Sequence, residues 1–248
     1  MNIFQYDQIV SAWTINMLQV EVDFFSKRMK KNAWVGLYDT PDNPIEQYIL
    51  DSYDFHFSDK CDSVVGFEWW IHVMEKSNHM VTFHSDHDEY KRREENEMSY
   101  PMLGTCLYLD DNSNPTIFFD SQQTSKYEKQ IEPFPPTTAV FSYADRGKFL
   151  VYHPQYIHGI LPGNDKQTTL WYNIWQYKPE NLERVGFSRQ GFLSSNDNRG
   201  HYIVKERKEP VIYLGETVTI GMDVYQKPIT LKGPYGTQGI GDLWEVNQ

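Results

Sequence analysis

Apolar residues in the first thirty positions recur at Ile9, Trp13, Met17, Val20 and Phe24, close to helical spacing, and the run ends in the basic cluster KRMKK at 27–31. The pattern predicts an amphipathic helix with cations at the negative end of its dipole, although the β-branched content leaves a strand open. Residues 39–62 hold turn chemistry (DTPDNP) and scattered aromatics, and predict loop with short elements. The pattern then changes. Short runs rich in β-branched and aromatic residues follow at 64–73 (VVGFEWWIHV), 79–84 (HMVTFH), 103–109 (LGTCLYL), 116–119 (TIFF), 138–143 (TAVFSY), 148–152 (KFLVY) and 168–177 (TTLWYNIWQY). Breakers such as DDNSNP, EPFPP, DRG and PGND separate them. Short strands at this spacing predict a mainly β sandwich or barrel.

Beyond Pro179 lie a polar stretch at 192–202, strand-like runs at 211–214 and 217–220, and a glycine-rich tail at 232–244. No helix-forming run follows those glycines, so they do not read as a phosphate loop. With no repeat and no long linker, the expected organisation is one domain over 1–248. Its β core spans about 64–178, with helical support at 1–62 and a C-terminal extension at 179–248.

Composition narrows the function. The net charge is −11, from 34 acidic against 23 basic residues, and the basic clusters (27–31 and 205–208) are short. That balance argues against nucleic acid and against anionic membrane as partners. The two cysteines, Cys61 and Cys106, are far apart, too few for a disulfide framework or a structural zinc site. No stretch reaches the roughly 18 apolar residues of a membrane span, and the start has no secretory pattern. A reducing, cytoplasmic setting is expected. Assembly into a homo-oligomer is left open.

The chemistry concentrates at FHSDHDE, 83–89, at the end of a strand-like run. Residues i and i+2 of a strand share a face, so His84 and Asp86 would deliver an imidazole and a carboxylate to one point. Two His and one carboxylate, with the opposite positions open, is the combination of non-haem iron(II). The third ligand must come from a distant strand. His158, in YHPQYIHGILPG, is the best candidate, and His153, just before Pro154, is its competitor. A lone His-x-Asp at an exposed acidic turn would carry no such meaning. The strand context and the downstream His-Gly-x-x-Pro raise it above that.

Over residues 68–177 the chain resembles the iron(II)/2-oxoglutarate-dependent dioxygenases. The likeness rests on EWW (Glu68–Trp70), HSDHDE (His84–Glu89), YPMLGTCLYLDDNSNPTIFFD (Tyr100–Asp120), GKFLVYHPQYIHGILPG and LWYNIW (Leu170–Trp175). It implies a double-stranded β-helix, or jelly roll. It also implies Fe(II) on His84, Asp86 and His158, with 2-oxoglutarate and O2 as cosubstrates and succinate and CO2 as products. Halogenating relatives have Gly or Ala in place of the carboxylate. Asp86 therefore favours hydroxylation, with a small-molecule or amino-acid-like substrate preferred.

The family usually places an Arg or Lys on the strand after the second His, a fork or point charge for the distal carboxylate of 2-oxoglutarate. Here the stretch is 163–169; Lys166 is its only basic residue, and the family position falls equally well on Gln167 or Thr169. If the strand is regular, Gln167, Thr169, Trp171, Asn173 and Trp175 share one face and Lys166 has the opposite parity. Lys166 is the expected anchor, with Thr169, Asn173 and Tyr108 as hydrogen-bonding helpers and Arg146 and Arg189 as outside candidates. Trp70, Asp88 and Trp175 are expected on the substrate side. The alternatives are a peptidyl or prolyl hydroxylase, a jelly-roll protein that binds metal without turnover, and a zinc hydrolase on the same ligands.

Overall fold

The structure, a computed structural model, describes residues 3–7, 10–74, 81–111, 115–123, 131–133, 136, 138–160, 166–185, 205–207, 218–222 and 227–231. In chain order its strands are β1 (Ile3–Asp7), β2 (Ala33–Gly36), β3 (Gly66–Met74), β4 (Val81–His84), β5 (Leu103–Tyr108), β6 (Pro115–Gln123), β7 (Ile131–Glu132) and β8 (Ala139–Tyr143). They continue with β9 (Phe149–Tyr152), β10 (Tyr156–Ile160), β11 (Gln167–Trp175), β12 (Lys205–Arg207), β13 (Val218–Met222) and β14 (Lys227–Leu231). Two α-helices, α1 (Ala12–Ser26) and α2 (Pro44–His56), and a π-helical turn at Lys91–Glu95 complete the set.

A seven-stranded sheet runs β12-β1-β9-β5-β11-β3-β2, and a five-stranded sheet runs β4-β10-β6-β7 with β8 also paired to β6. Within them, β3-β11-β5-β9 and β4-β10-β6-β8 are two sets of four antiparallel strands. The steps β3 to β4, β5 to β6, β8 to β9 and β10 to β11 each cross from one sheet to the other. That strand order is the double-stranded β-helix, in which two Greek keys close over one interior.

Both faces of the larger sheet are covered. Its outer face (Val35, Phe67, Trp69, Leu107, Phe149, Leu170, Tyr172, Ile174) packs on Ile15, Leu18, Val22 and Phe25 of α1 and Ile45, Tyr48, Ile49 and Tyr53 of α2. Its inner face gives Met74, Cys106, Tyr108, Leu150, Tyr152 and Trp171, which pack with Phe118 and Ile160 of the smaller sheet. A strand covered on both sides must be apolar at every register. All nine residues of β11 are buried, which is why TTLWYNIW reads as an almost unbroken apolar run.

The first helix forms where expected, with the Ser11 hydroxyl accepting from the Thr14 N–H at its start. Its buried face is a different one from the stripe read in the sequence. Ile15, Leu18, Val22 and Phe25 are buried, whereas Trp13 and Val20 are exposed and Met17 and Phe24 lie at the margin. Two apolar stripes share this helix, and tertiary packing chose the one that fits the sheet. At its C-terminus Arg28 donates to the Phe24 carbonyl, and the guanidinium lies over the Phe24 ring.

The loop expected at 39–62 contains α2. Asn43 caps it, its side-chain oxygen accepting from Glu46 N at 2.9 Å, and Pro44 stands in the first turn. DTPDNP is thus a helix start as well as a turn. The predicted strand runs in the β core all appear, and β10 is an additional strand. The run at 217–220 matches β13, while those at 192–202, 211–214 and 232–244 lie outside the described residues. No helix among the described residues is long and apolar enough to cross a membrane.

Candidate metal centre

His84 ends β4, and His158 sits directly opposite it on β10. The two imidazoles are therefore brought together by register, with ring centroids 4.6 Å apart. Asp86 reaches them after the strand has ended: its N–H donates to the Pro154 carbonyl at 3.0 Å, which folds the chain back over the β9–β10 turn. Strand parity alone does not place it. Asp86 Oδ1 lies 3.5 Å from His84 Nε2 and 3.7 Å from His158 Nε2. One ligand atom from each of the three residues falls within 4.8 Å of the others, a separation that one cation can span.

The protonation states suit a metal. His158 Nδ1 donates to the Tyr156 carbonyl at 2.9 Å, so Nε2 keeps its lone pair, and that buried nitrogen has no hydrogen-bond partner. Burial holds the His158 imidazole neutral, lowering its pKa to about 4. Burial alone would raise the Asp86 carboxyl, but the two imidazoles and the Tyr152 hydroxyl outweigh it and hold the group well below the ordinary carboxylate range. Tyr152 donates to Asp86 Oδ2 at 2.7 Å and turns Oδ1 toward the imidazoles. An ionised Asp86 and a neutral His158 are the states that metal binding requires of these two groups.

Two glycines make room for this arrangement. A Cβ at Gly159 would lie 2.6 Å from the Val81 carbonyl oxygen and 2.8 Å from the Phe83 ring, so β10 could not close on β4. A Cβ at Gly104 would lie 2.4 Å from the Tyr152 ring, displacing the residue that holds Asp86. Around His158, Trp171 stacks at 19° and Phe118 at 27°, an aromatic wall on the inner side of the site.

The outer side opens on a cleft of about 380 Å³ lined by Asn32, Glu68, Trp70, His72, Val81, His84, Ser85, Asp86, His87, Glu89 and Asn173. Glu68 is gripped from behind: Asn32 Nδ2 donates to Oε1 at 2.7 Å and Trp175 Nε1 to Oε2 at 3.2 Å. Burial pushes its carboxyl up to about 7. Two residues along β3, Trp70 Nε1 donates to His72 Nε2 at 3.1 Å, and burial keeps His72 neutral, with its pKa lowered to about 4.

The sequence-selected residues divide. His84, Asp86 and His158 converge, and Trp70 and Asn173 line the same cleft. His153 is exposed, meets the Tyr156 ring edge-on and is not among the three converging ligands. Asp88 is buried and accepts from the backbone N–H groups of Tyr90 and Lys91 and from the Tyr177 hydroxyl, so it fixes the turn and does not line the cleft. Trp175 is buried behind Glu68.

Lys166 stands just before β11 and its ammonium lies 3.8 Å from Asp23 of α1, on the outer side of the sheet. Arg146 bonds Asn16 and Gln19 of α1, and Arg189 lies outside the described residues. Thr169 accepts from Trp171 Nε1 at 2.7 Å, and the Tyr108 hydroxyl is 2.6 Å from Thr116 Oγ1, both inside the barrel. Gln167 shares their face and is 1% exposed, with both side-chain amide atoms unpartnered. Glu68, Tyr152 and Asn32 were not selected as site residues from sequence, and Gln167 only as an alternative place for the family's anchor. Their signal is positional: Glu68 shares strand parity with Trp70, and Gln167 with Thr169.

No protein-family profile matches the sequence, and no curated protein matches it. Solved structures do. A prolyl-4-hydroxylase of Pseudomonas putida aligns with TM-score 0.49 and 13% identity over 71% of this chain and 88% of its own. The viral collagen prolyl hydroxylase of Paramecium bursaria Chlorella virus-1 aligns with TM-score 0.48 and 11% identity, over 72% and 91%. The non-haem α-ketoglutarate-dependent carbocyclase SnoK from nogalamycin biosynthesis gives 0.45 and 11%, over 69% and 79%. At these values the chemistry of this chain has to be read from its own residues.

Proposed function

We propose that this chain is an iron(II)- and 2-oxoglutarate-dependent oxygenase that hydroxylates an unactivated C–H bond of a small-molecule or amino-acid-like substrate. The observation that carries the reading is the convergence of His84, Asp86 and His158 at the rim of a jelly roll, walled on one side and open to a cleft on the other. That is the donor set and the openness of non-haem iron(II) oxygenases. Iron(II) with 2-oxoglutarate and O2 supplies the oxidation of a C–H bond coupled to decarboxylation to succinate. The protein's part is to hold Asp86 through Tyr152, fix the His158 tautomer through Tyr156, and wall the inner face with Trp171 and Phe118. A carboxylate at position 86 takes the vertex that a halide would need, which supports hydroxylation over halogenation.

For 2-oxoglutarate, the interior beyond Trp171 offers neutral partners at Gln167, Thr169 and Tyr108. A buried cation lies further along the same register line: His72 pairs with Thr169, Thr169 with Tyr108, and Tyr108 N–H bonds the Lys148 carbonyl. Lys148 is 2% exposed and its ammonium donates to the Tyr143 carbonyl at 2.7 Å. These groups, rather than the outward Lys166, are our candidates for the distal carboxylate.

The test is oxygen uptake with succinate release. Both should require Fe(II) and 2-oxoglutarate together and vanish in Asp86→Ala, while Lys166→Ala should leave the KM for 2-oxoglutarate within about twofold of wild type. Zinc-dependent hydrolysis with no 2-oxoglutarate requirement would overturn the reading.

A further inference from the structure

We propose that the cleft in front of the three ligands receives a substrate bearing a positively charged nitrogen, bound by the Glu68 carboxylate and the side-chain carbonyl of Asn173. The inference rests on the functional reading above for the identity of the site, and it adds the charge of the substrate.

The charge inventory of the cleft is one-sided. Its lining holds three carboxylates, Glu68, Asp86 and Glu89, and among the described residues no Lys or Arg lines it. Two of the three acids are committed. Asp86 belongs to the ligand cluster and to Tyr152. Glu89 pairs with His87, Arg92 and Arg93. Glu68 has no cationic partner in its hydrogen bonds; it is held by neutral donors, Asn32 and Trp175 at 2.7 and 3.2 Å and the side-chain amide of Asn173. A carboxylate has about four acceptor sites, so these three donors leave capacity for one more.

The second observation is independent of charge. Asn173 on β11 is the direct cross-strand partner of Glu68 on β3. It is 2% exposed, it lines the cleft, and its side-chain oxygen has no hydrogen-bond partner. A buried acceptor left unpaired costs about 1–3 kcal/mol, a cost that an incoming N–H removes. A cation beside Glu68 offsets the burial that disfavours its charged form and keeps it ionised; the carboxylate and the Asn173 carbonyl, anchored opposite each other by register, then match a group that only donates: an ammonium or a guanidinium. Trp70, two residues along the same face of β3, adds an aromatic surface for the cation or its methylene stem. A carboxylate or phosphate in this position would lie against the oxygens of Glu68 and Asn173 and be repelled.

The test uses the full chain loaded with zinc, so that binding is read without turnover. Intrinsic tryptophan fluorescence, or calorimetry, follows titration with cadaverine and agmatine, with 1,5-pentanediol as the neutral isostere of the diamine and glutarate as the anion. Cadaverine and agmatine should bind at least about tenfold more tightly than pentanediol, the worth of one charge-assisted hydrogen bond. Glutarate should bind no better than pentanediol when 2-oxoglutarate already fills its own site. Glu68→Gln, which keeps the shape of the side chain, should remove most of the cation preference and leave pentanediol binding unchanged. Equal binding of diamine and diol, a preference for glutarate, or failure of both amines to bind at millimolar concentration in the wild type would overturn the proposal, and none of these needs a variant to fold. The oxygenase reading is scored separately by 2-oxoglutarate turnover. Turnover without cation preference overturns only the substrate charge. Cation preference without turnover overturns only the oxygenase.

Discussion

Tyr152 and Gly104 form a lock on Asp86. They are cross-strand partners on β9 and β5, and the absent side chain of Gly104 leaves the space into which the Tyr152 ring swings to reach Asp86 Oδ2. Gly104→Ala should therefore act on the metal without touching it. Displacing the ring by a Cβ contact of 2.4 Å would cost about 1–3 kcal/mol of stability and lower metal affinity. Tyr152→Phe keeps the packing and removes only the hydroxyl, so it should weaken metal binding about 10- to 100-fold with a smaller loss of stability. Competition with a chelator, alongside thermal unfolding, separates the two. Equal metal affinity in Tyr152→Phe and wild type would show that the hydroxyl does not orient Asp86. The sequence made His84, Asp86 and His158 legible because their residue types are informative in themselves. Tyr152 and Glu68 were not, because a tyrosine or glutamate in a strand acquires its role from whatever the register sets opposite it.

At the scale of elements, α2 shows where local pattern ran out. Its buried side, Ile45, Glu46, Tyr48, Ile49, Ser52 and Tyr53, mixes polar and aromatic residues, so the apolar period is weak, and Asn43-Pro44 reads equally as a turn. Its start depends on one side chain: Asn43 is fully buried and caps Glu46 N–H. Asn43→Ala should cost about 1–2 kcal/mol in urea unfolding, and a change within error would show that Pro44 alone starts the helix.

The far end of α2 carries a pH signature. His56 stacks on Phe149 at 5.8 Å and 23°, and burial, with Lys60 adding to it, lowers its pKa to about 4. The unfolded chain, with an ordinary histidine near 6.5, binds the proton that the folded chain refuses between about pH 6.5 and 4. Stability from this residue is therefore highest above pH 6.5 and declines as pH falls toward 4. The decline is on the order of 1–2 kcal/mol after allowing for partial exposure to solvent. His56→Phe should flatten that part of the stability profile, and an unchanged slope would remove His56 as its cause.

For the whole molecule, the strand runs and their breakers point to a β sandwich or barrel, and the family resemblance adds the winding. The structure shows why it suits the site. Alternation between sheets sets β4 beside β10, so His84 and His158 meet across a gap of more than seventy residues, and it covers β11 on both faces. The covering also turns Lys166 outward to Asp23 while Gln167 faces in, which sequence spacing alone could not decide because one residue of register reverses the face.

Iron(II) held by His84, Asp86 and His158 with 2-oxoglutarate beside it would have an optical signature. The most direct measurement is the visible spectrum of the anaerobic protein mixed with Fe(II) and 2-oxoglutarate. A weak metal-to-ligand charge-transfer band should appear in the wild type, decay when oxygen is admitted with succinate formed, and be absent in His158→Ala. Absence of the band in correctly folded wild-type protein, with no succinate on exposure to oxygen, would contradict that assignment of the iron.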